Sequence, residues 1–427
     1  MSWVRRLSSA GVAALVAAAP KIALAGGYDT PMLYTARHMG MGGTAIGYVY
    51  DPSALFHNPA GLGNIVQTSI LGDVSLLIGD IHGSPDITAQ NSESNTTFAP
   101  FFFAGAAHRF TDWFVAGVGV FPIASAGATY EYGPPGFEDE TDLYFLEITP
   151  GIAFNLPENI RLGLGYRVTF ARLNRFKGNP DSGTPFLDFT LTGWDFLGLR
   201  AGAQWTPVPW FELGLVYRHR LDFEVNNDEG TALALPFSDV STELTLPAKL
   251  GFGTRFDFED FGPHLALAAD VEYIFNSQND GAPLEGDPLV PAGVPQPPRA
   301  SVPNVFQWTN ATTLRFGVEY RLLEDRAQDI DRLALRLGYI HDGKTANEQY
   351  PTAFGTPPAA TNIFTVGAGY NGGPWQANVA YAYRFGSGEV TAADLNAPDR
   401  QPCQFCGVAG DYAIHLNGIY VDASYDF

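Results

Sequence analysis

The chain has 427 residues, of which 46% are hydrophobic and only 16% charged, with 47 Gly, 31 Phe and 19 Tyr. That is poor in charge and rich in aromatics for a water-soluble domain. A formal net charge of −21 excludes a nucleic-acid-binding surface, which has to be basic, and places the surplus acid on solvated loops.

In chain order the first element is a leader. Arg5 and Arg6 precede the apolar run Gly11 to Ala19, and Ala23-Leu24-Ala25 is a small-x-small cleavage site. This predicts a secretory signal peptide over residues 1–25 rather than a spanning helix. No later apolar run approaches the roughly twenty residues that a spanning helix needs. Residues 26–66 follow, rich in glycine and without a period of two, including Ala36-Arg37-His38-Met39-Gly40-Met41-Gly42-Gly43 and Asn58-Pro59-Ala60-Gly61.

From residue 67 to 427 the pattern changes to alternation. Leu162, Leu164, Tyr166 and Val168 alternate with Arg161, Gly163, Gly165 and Arg167; Leu314, Phe316, Val318 and Tyr320 alternate with Arg315, Gly317, Glu319 and Arg321. Phe211 to Arg218 and Trp375 to Phe385 read the same way, and so does the last strand, Asp411 to Phe427, which ends on an aromatic residue. A soluble sandwich also alternates. The leader, the lack of a spanning helix, and Trp113, Trp210 and Trp375 each opening a strand after a short turn favour a barrel in lipid.

Turn residues punctuate this region into about fourteen antiparallel strands, so the expected fold is an all-β transmembrane barrel. Short periplasmic turns are expected at Arg109 to Trp113, Leu156 to Ile160, Thr206 to Trp210, Asp257 to Pro263, Leu323 to Arg332 and Tyr370 to Trp375. Long outer loops are expected at His82 to Thr97, Glu131 to Thr141, Lys177 to Pro185, Asn226 to Ser238, Asn276 to Asn304, Asp342 to Thr361 and Ser387 to Asp411. The Pro-rich Asn276 to Asn304 reads as irregular. A barrel of that strand number is too wide for its own side chains to fill, so residues 26–66 are expected to plug it.

Asn58-Pro59-Ala60 between a leader and a barrel, Leu246-Pro247-Ala248 leading into Gly251-Phe252-Gly253, and Ala269-Asp270-Val271-Glu272-Tyr273 resemble the FadL/TodX family of outer-membrane transporters. The resemblance runs through the whole chain. It implies passive uptake of long-chain fatty acids or similar hydrophobic molecules, with monoaromatic hydrocarbons as the alternative substrate. Molecules would be captured by the outer loops, held in an apolar pocket closed by the mature N-terminus, and released sideways beside an inward kink of the third strand. The hatch residues are then Gly26, Gly27, Tyr28, Asn58, Pro59, Ala60 and Gly61.

The third strand, Trp113 to Tyr132, carries Phe121-Pro122 and Ser125-Ala126-Gly127. Proline lacks a ladder donor and glycine packs poorly, so pairing should break there. Ala171 to Phe176 resembles the family segment that presents an arginine to the ligand beside a phenylalanine, which makes Arg175 a carboxylate partner with Phe176 next to it. An arginine at a loop base is the other reading.

Cys403 and Cys406 are the only cysteines and, in an exported loop, are expected to be disulfide-bonded. A metal there would need two further ligands. Arg167, Arg218, Arg315, Arg321 and Arg336 with Glu212, Asp270, Glu272 and Glu319 are expected to form an ion-pair lattice around the hatch. No Ser/His/acid spacing points to an enzyme, and no cofactor or metal is expected. The expected partners are a hydrophobic small molecule and the lipid of the outer membrane, around a monomer.

Overall fold

The computed structural model describes residues 28, 31–33, 35–181, 185–258, 264–325, 330–355, 357–403 and 405–427. The leader, Gly26 and Gly27 lie outside the described residues, as do parts of the turns expected at Asp257 to Pro263 and Leu323 to Arg332.

Fourteen antiparallel strands form a closed barrel in an outer-membrane fold. They are β1 (Thr68–Gly83), β2 (Thr97–Thr111), β3 (Phe114–Glu131), β4 (Glu138–Leu156), β5 (Ile160–Gly178) and β6 (Leu187–Val208). β7 is interrupted (Phe211–Arg218, then Leu221–Ala232), as is β8 (Leu235–Leu246, then Lys249–Asp257). β9 (Leu265–Ile274), β10 (Ala311–Asp325), β11 (Ile330–Asp342), β12 (Thr361–Asn371), β13 (Trp375–Val390) and β14 (Gly410–Asp426) complete the wall. β14 closes on β1 from Ser69↔Asp426 to His82↔Ala413, so the last strand leaves no free edge beside the first.

The alternation in the sequence becomes the two faces of this wall. On β10, Leu314, Phe316, Val318 and Tyr320 are exposed outwards while Arg315 and Glu319 are buried inside. Trp113, Trp210 and Trp375 are exposed beside the short turns, where an amphipathic ring suits the membrane interface.

Two expected outer loops are more ordered than the sequence suggests. Asn226 to Ser238 is no loop: the second part of β7 runs to Ala232 and β8 returns from Leu235, paired from Leu235↔Ala232 to Ser241↔Asn226. Leu233 and Ala234 make the turn at φ 52° and 59°, the backbone of a tight hairpin. Asn226 to Glu229 are exposed; beyond the lipid both faces of a hairpin are wet, and alternation disappears although pairing continues. Asn276 to Asn304 likewise carries two short strands, Leu284–Pro288 and Ala300–Val302, which pair with each other, the first also pairing with the outer end of β8.

The segment before β1 lies inside the barrel, and its described residues from Met32 to Gly63 are almost all buried. It folds into two short helices, α1 (Ala36–Gly40) and α2 (Ala54–His57), and a 3-10 turn (Pro59–Asn64). Glycines of the wall give it room. A Cβ at Gly202 would stand 1.9 Å from Asn58 Oδ1, one at Gly163 2.2 Å from the Ala60 nitrogen, and one at Gly338 2.0 Å from the Gly42 nitrogen. Only glycine lets backbone approach a strand that closely.

Candidate functional site

Asn58 fastens this hatch to the wall. Its Nδ2 donates to the Ile46 carbonyl at 2.8 Å and to that of Ala203, on β6, at 3.1 Å, while its Oδ1 accepts from the Ala60 amide at 3.1 Å. Pro59 opens the 3-10 turn, where its missing N–H leaves nothing unsatisfied, and Gly61 packs so close to Val49 that a Cβ would lie 2.3 Å from its Cγ1. Asp270 of β9 accepts from the amides of Ala45 and Ile46 at 2.8 and 3.1 Å. Arg336 pairs with Glu319 at 2.7 Å, Arg321 with Asp257 at 2.5 Å, Arg167 with Glu147 at 2.6 Å, and Arg315 with Glu272. Arg218 donates to the Pro247 carbonyl at 2.9 Å, and Glu212 receives Arg255 at 3.2 Å. A buried charge is costly unless paired, and this lattice surrounds the hatch.

Within the hatch, His38 Nδ1 donates to the Thr44 carbonyl at 2.8 Å. Burial first, and then the charge of Arg37, push its pKa down to about 3, so it is neutral at physiological pH.

Outward of the hatch is an apolar pocket of about 110 Å³. Tyr28, the first described residue, stands in its wall with its ring edge-on to Trp308 at 4.8 Å. Phe306 stacks on Trp308 at 5.0 Å, and Phe189, Phe354, Leu143 and Leu244 supply further apolar surface. Arg175 reaches the pocket from β5, its guanidinium 4.5 Å from the centre of the Phe354 ring. Its Nη1 also donates to Asp139 Oδ1 at 2.5 Å. Asp139 in turn receives Lys177 Nζ at 3.1 Å and the Tyr132 hydroxyl at 2.7 Å. Phe176 follows Arg175 on the strand, is half-buried, and does not line the pocket, because neighbouring strand residues point to opposite faces. Neither Asp139 nor Phe306 and Trp308 was singled out from sequence; two aromatics in a Pro-rich stretch were the available signal.

The wall is broken beside this pocket. The β2–β3 ladder runs from Thr111↔Phe114 only to Ala104↔Val120, and from Phe103 to Thr97 β2 pairs with β1 alone. From that point β3 buries Phe121, Pro122, Ile123 and Ala124 in succession where a flat strand would alternate, and its pairing with β4 shifts register between Pro122 and Ala124. The strand therefore bends inwards. Phe121 stacks on Phe103 at 5.2 Å and meets Phe56 of the hatch edge-on at 5.6 Å. Between the parted strands lies a recess of about 550 Å³, lined by Thr97, Ala99 and Phe101 on one side and Ser125, Gly127 and Thr129 on the other. A space of about 60 Å³ shares Ser125 and Gly127 with the recess, and Ala126 and Gly355 with the apolar pocket.

Cys403 and Cys406 are joined by a disulfide in the outer loop before β14. Its sulfurs lie against the backbone of Val305, close to Phe306.

A closed barrel with its own N-terminal segment seated in the lumen and an apolar pocket above it is the architecture of an outer-membrane transporter of hydrophobic compounds. The chain belongs to the outer membrane protein transport protein family (OMPP1/FadL/TodX), whose model matches residues 16–427. Among solved structures, a Pseudomonas aeruginosa FadL homologue superposes with a TM-score of 0.72 at 16% identity, covering 94% of this chain and 100% of that one. The toluene transporter TbuX of Ralstonia pickettii gives 0.66 at 16% identity, with 93% and 99% covered. The toluene transporter TodX of Pseudomonas putida gives 0.64 at 16%, with 94% and 99% covered. A comparison with curated protein sequences finds no match.

Proposed function

We propose that this chain carries hydrophobic molecules inwards without energy input. They are captured by the outer loops, held in the apolar pocket, and released sideways into the membrane between β2 and β3. The observation that carries this reading is the run of cavities from the pocket, past Ala126 and Gly355, to the recess where β2 and β3 are unpaired. Burying an alkyl chain gains about 0.8 kcal/mol per methylene. Passage down a lumen lined by Arg315, Glu319 and Arg336 would forfeit that gain, and exit into lipid keeps it.

For the substrate, the pocket supports a neutral molecule of about one aromatic ring. Its volume of about 110 Å³ is near the scale of about 150 Å³ at which a dry apolar cavity takes up benzene. Tyr28, Phe189, Phe306, Trp308, Phe354 and Phe405 all line it, and Arg175 already has its charge matched by Asp139. The names of TbuX and TodX as toluene transporters accord with this. Long-chain fatty acids are the second reading, supported by the Arg175 guanidinium in the pocket wall, where a carboxylate would share it with Asp139.

Titration of the purified protein with toluene and with palmitate separates the two. Toluene binding that survives Arg175→Ala is the expected result. Binding of palmitate alone, lost in Arg175→Ala, would replace the neutral substrate by a fatty acid.

A further inference from the structure

The outer loop between β13 and β14 is pinned on both sides of its disulfide. Before it, Arg400 Nε donates to the Gln349 carbonyl at 2.8 Å, and the Gln401 amide donates to the Tyr350 hydroxyl at 2.6 Å. After it, the Gly407 amide donates to the Pro351 carbonyl at 2.8 Å and the Val408 amide to the Ser84 carbonyl at 2.9 Å. Those partners belong to two other outer loops, so both ends of this one are fixed to its neighbours.

The disulfide itself rests on Val305. The Val305 amide donates to Cys403 Sγ at 3.4 Å, and Cys406 Sγ lies 3.3 Å from the Val305 carbonyl oxygen. Val305 is bridged to Gly281, and the residue after it, Phe306, stacks on Trp308 in the wall of the apolar pocket. Phe405 stands between the two cysteines. Gln401 and Pro402, just before them, are exposed, whereas Phe405 packs against the apolar core and lines the pocket. It therefore reaches the pocket from the outer loops, on the side away from the hatch.

The entropy that a disulfide removes from the unfolded chain grows with the length of chain it closes. This one joins residues three apart in sequence, so it constrains chiefly its own loop. Among the described residues of that loop, Phe405 and not the cysteines lines the pocket. A ring fixed in place before a ligand arrives loses no freedom when the ligand binds.

We propose that Phe405 closes the outer side of the apolar pocket and sets how long a hydrophobic molecule stays there, and that the Cys403–Cys406 disulfide is the positioning device for its ring. The proposal rests on the reading of this pocket as the substrate site. Phe405 supplies apolar area and an aromatic face to the bound molecule, and covers Trp308, which is 7% exposed. The disulfide acts through Phe405, so the loss of either has the same consequence.

The test uses the full-length protein in detergent and two measurements. One needs no ligand: acrylamide quenching of Trp308, taken as the difference between each protein and its Trp308→Phe counterpart. The other is the dissociation rate of toluene. Phe405→Ala is expected to raise the quenching and to speed dissociation about tenfold, and Phe405→Leu to recover most of both. Cys403→Ser/Cys406→Ser should shift both in the same direction. Adding Phe405→Ala to that pair should give no more than Phe405→Ala alone, because the two changes remove one interaction; circular dichroism checks that each variant is folded. Wild-type quenching and dissociation in folded Phe405→Ala overturn the proposal, and effects of the cysteine pair and Phe405→Ala that add in full overturn the positioning role. Failure of toluene to bind the wild type, with the quenching pattern as expected, would sink the reading of the pocket as the substrate site and leave the placement of Phe405 standing.

Discussion

The backbone N–H of Arg37, in the first turn of α1, donates to Asp422 Oδ2 on β14 at 2.9 Å. Asp422 is the register partner of Asp73 on β1, so the hatch is held at the seam where the last strand closes on the first. Thr35, at the N-cap, makes no side-chain cap of its own. The wall carboxylate supplies the acceptor that a first-turn amide needs.

Asp422 also receives Asn378 Nδ2 at 2.6 Å, and Asp422→Ala leaves both buried donors without it. The expected cost is about 1–3 kcal/mol, together with a looser hatch. A lowered thermal midpoint and a raised single-channel conductance would register the change. Wild-type values for both would mean that the seam does not hold the hatch.

Removing residues 27–63 after the leader should leave a folded barrel that conducts ions. Arg315, Glu319, Arg336 and Asp270 face inwards, so the emptied lumen fills with water. Planar-bilayer recordings in which the truncated barrel conducts no more than the full chain would show that the segment is not a plug.

The seat of the hatch is also testable one methyl group at a time. Gly202→Ala places a Cβ against Asn58, whereas at Gly72 on β1 nothing lies within 4 Å of an added Cβ. Gly202→Ala is expected to destabilise by about 1–3 kcal/mol, the range for overpacking, and Gly72→Ala hardly at all. Equal thermal midpoints for the two variants would contradict the close approach.

His38 gives the hatch an acid limit. Its folded-state pKa of about 3 lies below the value of about 6.5 for an unfolded chain. Between these values the unfolded state binds a proton that the folded state refuses. Its contribution is therefore complete above about pH 6.5 and falls by up to about 1.4 kcal/mol per unit as pH drops towards 3. His38→Gln should flatten the decline of the thermal midpoint between about pH 6.5 and 4 relative to wild type. Parallel curves would assign the acid sensitivity to other groups.

Much of the barrel was legible in the chain because lipid outside and water inside force a period of two: Leu314 to Tyr320 reads directly as a wall strand. The pattern fails where that contrast ends. Asn226 to Glu229 look like loop because both faces of the hairpin are wet, and the interruptions at 219–220 and 247–248 carry only a weak signal in Pro247. Phe121-Pro122 announced a break in pairing because proline removes a donor, a strictly local effect. The match of Arg175 to Asp139 joins residues 36 apart in sequence and follows only from the register of β4 against β5. The seating of Asn58 against Gly202 is likewise invisible until hatch and wall are placed together.

On the proposed sideways route a ligand passes Ala126 and Ser125. Ala126 borders both the apolar pocket and the narrow space leading to the recess. Gly127 is the poorer site for a probe, since a Cβ there would lie 2.4 Å from the Thr141 carbonyl oxygen. The measurement is uptake of labelled toluene, and of labelled oleate for the second reading, by cells carrying Ser125→Trp or Ser125→Phe, since Ser125 borders the narrow space and the recess but not the apolar pocket, with surface expression checked in parallel. Uptake is expected to fail in well-expressed variants while the purified proteins still bind ligand. Uptake at the wild-type rate with the passage filled would contradict it and send the molecules through the periplasmic end of the lumen.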